Sequence, residues 1–368
     1  MKPVNLERSA PCSETFDKGL IVGKFCPLHY GHELLINTAL ARCHQVIVIS
    51  YSKPEFAGCE RERREAWLQK QFPQTLRLVI DDASLQKEAA KLGLRDVPVI
   101  PANDDAECTH RTFVAWLCHF ILQCRVDAVF TSEDYGDGFA EVLGEYFKQH
   151  NHHNQHNQKA ETVRHICVDK VRMVVPVSGT AVRSDPHKHR QFLAGEVYAD
   201  FVEKVCFLGG ESTGKTTLAA RMAEELATHW VPEFGRELWE RKQGMLQYED
   251  MRQIGETQIK NENALAQRAH RWLFCDTSPL TTLFYSQEIF GRVDKNLQRL
   301  AERTYQHLFL CAPDIAFVQD NTRRDDAFRK RQHQWYITEL NRRKLPYQLL
   351  TGDLSTRVTK VKRELIKD

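Results

Sequence analysis

The stretch Gly209–Thr217, GGESTGKTT, satisfies the pattern GxxxxGK[ST] through Gly209, Gly214, Lys215 and Thr216. Its glycines let the backbone N–H groups of Gly209, Gly210, Glu211, Ser212, Thr213 and Gly214 curl around an anion. The helix that opens at Lys215 and runs on through Thr217 points its N-terminus at the same place. The anion this suits is the β- and γ-phosphate pair of ATP, with Lys215 adding a charge and Thr216 a hydroxyl ligand for Mg²⁺. Asp276, at the tip of the apolar run WLFCD, can hold that Mg²⁺ through water, or it can cap the segment that follows. PEFGRE puts Glu233, Arg236 and Glu237 either beside the loop, where a phosphate acceptor would sit, or at a solvated helix start. Glu233 and Asp276 are both candidates to orient an attacking hydroxyl. The basic stretch Asn321–Trp335, which includes Arg329, reads as a closing lid whose arginines neutralise a phosphoryl group in flight, or as a plain charged loop.

A second constellation lies near the start. GKFCPLHYGH sets His29 and His32 on either side of Gly31, where a strand ending at Gly23 turns, through Lys24 and Phe25, into a helix. Imidazoles at a helix N-terminus can donate hydrogen bonds to phosphate and stabilise charge developing on an α-phosphate and on departing pyrophosphate, with no covalent intermediate. With 16 histidines in the chain, a chance pair is the competing reading. The segment Val177–Arg183, VSGTAVR, tips the balance: Ser178, Gly179 and Thr180 form another anion cradle at a helix start, and Arg183 adds a bidentate charge.

The elements that position these residues alternate. GLIVG, QVIVISY, LRLVI, VDAVFTS and VRHICVD read as strands, separated by helical stretches such as ERERREAWLQKQF and the buried FVAWLCHFIL. A fresh strand at VCFLG starts a second alternation: a helix from Lys215 to about Thr228, a long polar helix around Tyr248–His270, the strand WLFCD, helices after Pro279 and Asp294, a strand at IAFV, and a last strand and helix from YQLL to KVKRELI. This predicts an α/β protein of two doubly wound parallel-sheet domains. The expected boundaries are an extension over 1–18, a first domain over 19–185, a linker over 186–203 and a P-loop domain over 204–368. Within the first domain, Lys148–Glu161 (KQHNHHNQHNQKAE) is low in complexity and reads as a solvated insertion. Its His150, His152, His153 and His156 have no carboxylate or cysteine close by to organise a metal site.

Composition narrows the function classes. The 368 residues fit two domains of ordinary size, and 51 basic against 49 acidic side chains leave no field for coating nucleic acid. Eleven scattered cysteines suggest neither a disulfide framework nor a CxxC metal pair, so a reducing cytoplasm suits the chain. No apolar run is long enough to span a bilayer. A nucleic-acid or membrane partner is therefore not expected, and a homo-oligomer is compatible with the sequence.

The combination GKF-x-P-x-H-x-GH, then VSGT-x-x-R, then GGES-[ST]-GK-[ST] resembles the NadR-type bifunctional enzymes, in which a nicotinamide mononucleotide adenylyltransferase domain precedes a ribosylnicotinamide kinase domain. The resemblance covers nearly the whole chain, and PEFGRE and CDTSPLTT are similar to matching stretches of the kinase half. It implies a nucleotidylyltransferase fold for the first domain, with His29, His32 and Arg183 serving adenylyl transfer and Lys215, Thr216 and Asp276 serving the kinase. It further implies that Thr131–Gly136 (TSEDYG), Asp169 and Arg172 lie near the bound nucleotide. ATP, nicotinamide riboside and its mononucleotide are the implied small molecules, with Mg²⁺ as cofactor. Some relatives begin with a helix-turn-helix repressor domain; fewer than twenty residues precede the first strand here, so repression is not expected. Three alternatives keep part of the pattern: a fused phosphopantetheine adenylyltransferase and dephospho-coenzyme A kinase, a kinase with a nucleotide-sensing first domain, and a mechanical P-loop ATPase.

Overall fold

The computed structural model describes residues 14–133, 135–150, 162–317 and 324–366. The chain divides into two compact units, Met1–Val197 and Tyr198–Asp368, each built on its own five-stranded parallel sheet. Both are flanked by helices, so the fold is α/β.

The strands of the first unit are β1 (Phe16–Gly23), β2 (Cys43–Ser50), β3 (Leu76–Val79), β4 (Ala128–Thr131) and β5 (Arg164–Cys167), arranged β3-β2-β1-β4-β5. Leu20, Ile21, Ile47, Val48 and Ile49 are buried on both faces of the sheet, which is why β1 and β2 read as unbroken apolar runs. The chain steps outward from β1 to β3 and returns to β4 on the far side of β1. A reversal of that kind opens a crevice at the carboxyl ends of the two strands, here past Gly23 and Thr131. The helix Glu107–Trp116 ends in a wider π-helical turn, Leu117–Ile121, whose Leu117 and Cys118 are fully buried. The expected surface loop begins later than its sequence suggests. Lys148 and Gln149 complete the helix Gly136–Gln149, because Phe139, Leu143 and Phe147 keep one face buried to its last turn. His150 caps that helix with its ring stacked on Tyr146 at 4.1 Å, and the stretch from 151 to 161, with His152, His153 and His156, lies outside the described residues.

In the second unit, β6 (Glu203–Gly209), β7 (His229–Val231), β8 (Trp272–Asp276), β9 (His307–Cys311) and β10 (Gln348–Leu350) take the order β10-β9-β6-β8-β7. One expectation is corrected: the fourth strand is HLFLC, His307–Cys311, and Ile315–Phe317 of IAFV lie beyond its tip in no strand. Phe309, Leu310 and Cys311 are buried against β6, and the polar turn after them is held by Asp314, which accepts from the Gly352 amide at 2.7 Å. Residues 186–203 are folded rather than extended, with short helical turns at Arg190–Phe192, Gly195–Tyr198 and Ala199–Phe201 and with Glu203 already in β6. Among the described residues no helix is long and apolar enough to cross a membrane, and the cysteines are free thiols.

Candidate functional site

The loop after β6 requires glycine because other backbone crowds it. Gly209 has φ +147°, and a Cβ there would come within 2.8 Å of the Cys311 carbonyl oxygen; at Gly210 a Cβ would meet the Arg329 carbonyl oxygen at 2.7 Å. The Thr213 hydroxyl donates to the Gly210 carbonyl at 2.8 Å and closes the turn, after which the helix Lys215–Glu225 begins. Lys215 Nζ donates to the same carbonyl at 3.0 Å, while Thr217 stands exposed on the helix. Two buried arginines hold the loop from behind. Arg357 donates to the Thr213 carbonyl at 2.6 Å and to the Ala312 carbonyl at 3.0 Å; Arg329 donates to the carbonyls of Ile315 at 3.0 Å and Ser212 at 3.5 Å.

That placement of Arg329 corrects the lid reading for this residue. From Asp326 to Arg342 the basic stretch is a helix whose Phe328, Tyr336 and Leu340 are buried, and their face carries Arg329 in against the loop, where it also pairs with Asp326. Residues 321–323 lie outside the described residues.

Asp276 ends β8 facing the loop, 1% exposed. Thr216 Oγ1 donates to its Oδ2 at 2.5 Å, whereas Oδ1 is buried with no partner. Asp276 does not cap the next helix; Ser278 does, accepting from the Leu280 amide at 3.2 Å. Burial raises the Asp276 carboxyl, with Lys215 pulling the other way. Glu233 is raised too, first by burial and then by Asp276. Two carboxylates that disfavour each other's charge, one with an unsatisfied oxygen, together with a hydroxyl, make a set of hard oxygen donors that fits Mg²⁺.

Beside the loop lies a pocket of about 170 Å³ lined in part by Lys215, Glu233, Arg236, Trp239, Tyr285 and Arg324. Glu233 sits at the start of the helix Phe234–Arg241; Glu237 turns outward and pairs with Arg241 at 3.5 Å. Glu211 forms part of the pocket wall, accepting from Tyr285 Oη at 2.8 Å and from the Arg324 amide at 2.8 Å.

The first unit holds a larger cleft of about 460 Å³ at the carboxyl ends of β1 and β4. His29 caps the helix Tyr30–Leu40: its Nδ1 accepts from the Gly31 amide at 3.1 Å, and His32 Nδ1 accepts from the His29 amide at 3.4 Å. Both Nδ1 atoms are acceptors, so the protons of the neutral rings sit on Nε2. The rings stack with centroids 3.8 Å apart, and the fully buried Phe25 packs edge-on against His32 at 4.8 Å. Burial, then Arg172 and Arg183, lower His29 to about 4, and burial takes His32 well below its ordinary value. Near neutral pH the pair presents uncharged N–H donors.

The second segment reaches the same cleft. Ser178 caps the helix Gly179–Ser184, and a Cβ on Gly179 would lie 3.7 Å from His29 Nε2. Arg183 donates to the Cys26 carbonyl at 2.7 Å and the Thr180 hydroxyl at 3.0 Å, and its guanidinium lies 4.3 Å over the Phe56 ring. Asp169 accepts from the amides of Met173, Val174 and Val175, a fold that sets Arg172 on the cleft, 3.5 Å from Glu133. Lys24 lines the cleft and donates to the Asn103 carbonyl at 3.2 Å; burial and then Arg183 lower its ammonium. Gly23, at the end of β1, and Thr180 also line the cleft, while Gly31 lies in the first turn of the helix that His29 caps.

Sequence reasoning overlooked Arg357, Gln332, Trp239 and Tyr285 in the second unit, and Tyr51, His110 and Arg111 in the first, where Tyr51 Oη meets His110 Nδ1 at 3.0 Å. For Arg357 a signal existed. It shares an i, i+4, i+8 face with Val361 and Leu365, and a charge on the buried face of an amphipathic helix must have a partner inside. The others are polar or aromatic residues that become neighbours only in the fold.

Fold and sites define a two-unit α/β protein with an anion-binding glycine loop in one unit and a histidine-lined nucleotide-sized cleft in the other. Residues 204–357 match the AAA domain family. Over 311 residues, 83% of this chain and 71% of the relative, the sequence is 24% identical to the trifunctional NAD biosynthesis/regulator protein NadR of Escherichia coli (strain K12). A crystal structure of NadR protein in complex with NR is similar with a TM-score of 0.66 at 15% identity, covering 96% of this chain and 98% of that one. A second, in complex with NAD and AMP-PNP, gives 0.60 at 18% identity, again over 96% and 98%. The resemblance to the NadR-type proteins is carried by sequence as well as by fold.

Proposed function

We propose that the chain phosphorylates nicotinamide riboside in its second unit and joins the resulting mononucleotide to AMP in its first, forming NAD. In the kinase step the 5′-hydroxyl of the riboside attacks the γ-phosphorus of ATP, the bond from that phosphorus to the bridging oxygen breaks and ADP leaves, and Lys215 and the loop amides stabilise the phosphoryl group in transit. Glu233 or Asp276 accepts the hydroxyl proton. Thr216 and Asp276 would hold Mg²⁺, which when bound neutralises phosphate charge. Trp239 and Tyr285, with Glu233, give the neighbouring pocket an aromatic and acidic lining suited to the cationic nicotinamide ring.

In the adenylyl step an oxygen of the mononucleotide phosphate attacks the α-phosphorus of a second ATP, and the bond to pyrophosphate breaks. A phosphate dianion needs no general base, so positioning and charge stabilisation by His29, His32, Lys24 and Arg183 suffice. The observation that carries this reading is the stacked, neutral histidine pair beside Gly179 and Arg183, in a unit separate from the glycine loop. The test is incubation with nicotinamide riboside, ATP and Mg²⁺ followed by mass detection. Mononucleotide and NAD are the expected products. A chain that turns over phosphopantetheine and dephospho-coenzyme A instead, or releases no pyrophosphate, sinks the assignment.

A further inference from the structure

The helix Arg61–Gln71 buries Trp67 and Leu68, and one turn earlier on the same face it buries an arginine completely, Arg64. A cation in such a place costs more than an apolar side chain unless its donors are met, and a buried ion pair is weak support for stability. Arg64 meets three separate acceptors. Its Nε donates to the Cys59 carbonyl at 3.0 Å, Nη1 to Ser50 Oγ at 2.7 Å and Nη2 to Glu55 Oε1 at 2.6 Å, a set that the planar fork of a guanidinium can serve and a lysine ammonium cannot reproduce.

Both branches of this hub lead to the nucleotide cleft. Ser50, the last residue of β2, is also fully buried, and its hydroxyl lies 3.2 Å from the Lys24 carbonyl. A guanidinium can only donate, so the Ser50 oxygen accepts from Arg64 and turns its own proton to that carbonyl. The turn gripped there is a demanding one. Phe25 has φ +49°, a region that bulky side chains avoid, and such a turn persists only where its neighbours hold it. It places Lys24 on the cleft. In the other branch Glu55 and Cys59 flank Phe56, whose ring centroid lies 4.3 Å from the Arg183 guanidinium and 6.0 Å from Lys24 Nζ.

We propose that Arg64 is a positioning residue of the first unit: from inside the core it fixes Lys24, through Ser50, and Arg183, through the loop that carries Phe56, where the two cations meet the phosphates. The consequence for turnover rests on the function proposed above. A cation displaced by about an ångström loses its hold on charge that develops only in transit, so the effect falls on kcat rather than on KM.

The primary variant is Ser50→Ala, which removes one hydroxyl and no charge, because Arg64→Met can fail to fold. Ser50→Ala is expected to lower kcat for pyrophosphate release from ATP and mononucleotide about tenfold, with KM and the kinase rate within about twofold of the parent chain. In a Lys24→Ala background the same substitution changes the rate by less than about twofold, since the cation it places is gone. Arg64→Lys, which keeps the charge and loses the fork, shows a loss at least as large as Ser50→Ala. A readout free of turnover is the pH dependence of amine labelling at Lys24, followed by peptide mass mapping. Burial and Arg183 hold this ammonium below an ordinary lysine, and in Ser50→Ala its midpoint moves up toward the ordinary value. Unchanged kcat in folded Ser50→Ala, equal losses with and without Lys24, full activity of Arg64→Lys or an unmoved Lys24 midpoint overturns the role. Absence of adenylyl transfer in the parent chain counts instead against the functional reading, and the labelling then decides the role of Arg64 by itself.

Discussion

The glycine loop of the second unit and the cleft of the first are both anion sites at the carboxyl ends of parallel strands, yet they are assembled differently. The loop is nine consecutive residues, Gly209–Thr217, and the fold adds only its supports, Arg329 and Arg357, and the facing Asp276. The cleft draws His32, with His29 stacked on it, from one turn, His110 and Arg111 from a helix, and Arg172 and Arg183 from beyond β5. Charge is managed differently too. The loop faces two carboxylates raised by burial, Glu233 also by Asp276, a region short of a cation, whereas the cleft holds neutral imidazoles among guanidinium groups, a region short of an anion. The difference shows that similar phosphates can be met by a local backbone motif or by a convergence of distant side chains.

The strongest way to break the comparison is to disable one site and watch the other. Lys215→Met is expected to lower phosphorylation of nicotinamide riboside by about a thousandfold, from loss of charge stabilisation on the moving phosphoryl group. NAD formation from supplied mononucleotide stays unchanged, and a parallel fall in both rates would show that the units do not act separately. The reciprocal variant, His32→Ala, should reduce pyrophosphate release from ATP and mononucleotide by about two to three orders of magnitude, with the kinase intact.

Acid should distinguish the units next. His29 titrates at about 4 in the folded chain against an ordinary value of 6.5. Its depressed value means that the stability present above pH 6.5 is lost as pH falls toward 4, by about 3 kcal/mol once both values are passed. Denaturant unfolding between pH 7 and 4 reads this, and His29→Asn, which keeps a cap acceptor for the helix, should flatten the slope for the first unit. The smallest effect has the opposite sense. Asp276 and Glu233 have raised values, so their contribution is present at low pH and is lost as pH rises through them. Asp276→Asn should therefore raise the Tm of the metal-free protein near neutral pH, by an amount corresponding to about 1 kcal/mol, while it removes kinase activity. A lowered Tm would mean that the Thr216 hydrogen bond outweighs the repulsion.

The local motifs were legible because their chemistry is contained in a few adjacent residues. Gly209, Gly214, Lys215 and Thr216 announce the loop whatever surrounds them, and the parallel alternation announces the α/β fold. The strand at His307–Cys311 was not legible. Two apolar runs, HLFLC and IAFV, stand on either side of APD, and only pairing beside β6 selects the first. The lid reading of Arg329 failed for a related reason: a dense run of basic residues looks solvated until one helical face is seen to be buried.

By itself, then, the sequence determined the two glycine-containing turns, the histidine pair and the alternation of strands with helices, all of which depend on near neighbours along the chain. The tertiary structure decided which Asp276 oxygen lacks a partner, that His29 and His32 stay neutral, and that Arg329 and Arg357 brace the loop. Those outcomes depend on burial and on contacts between residues far apart in the chain, and both arise only when the sheets have formed and the helices have packed on them.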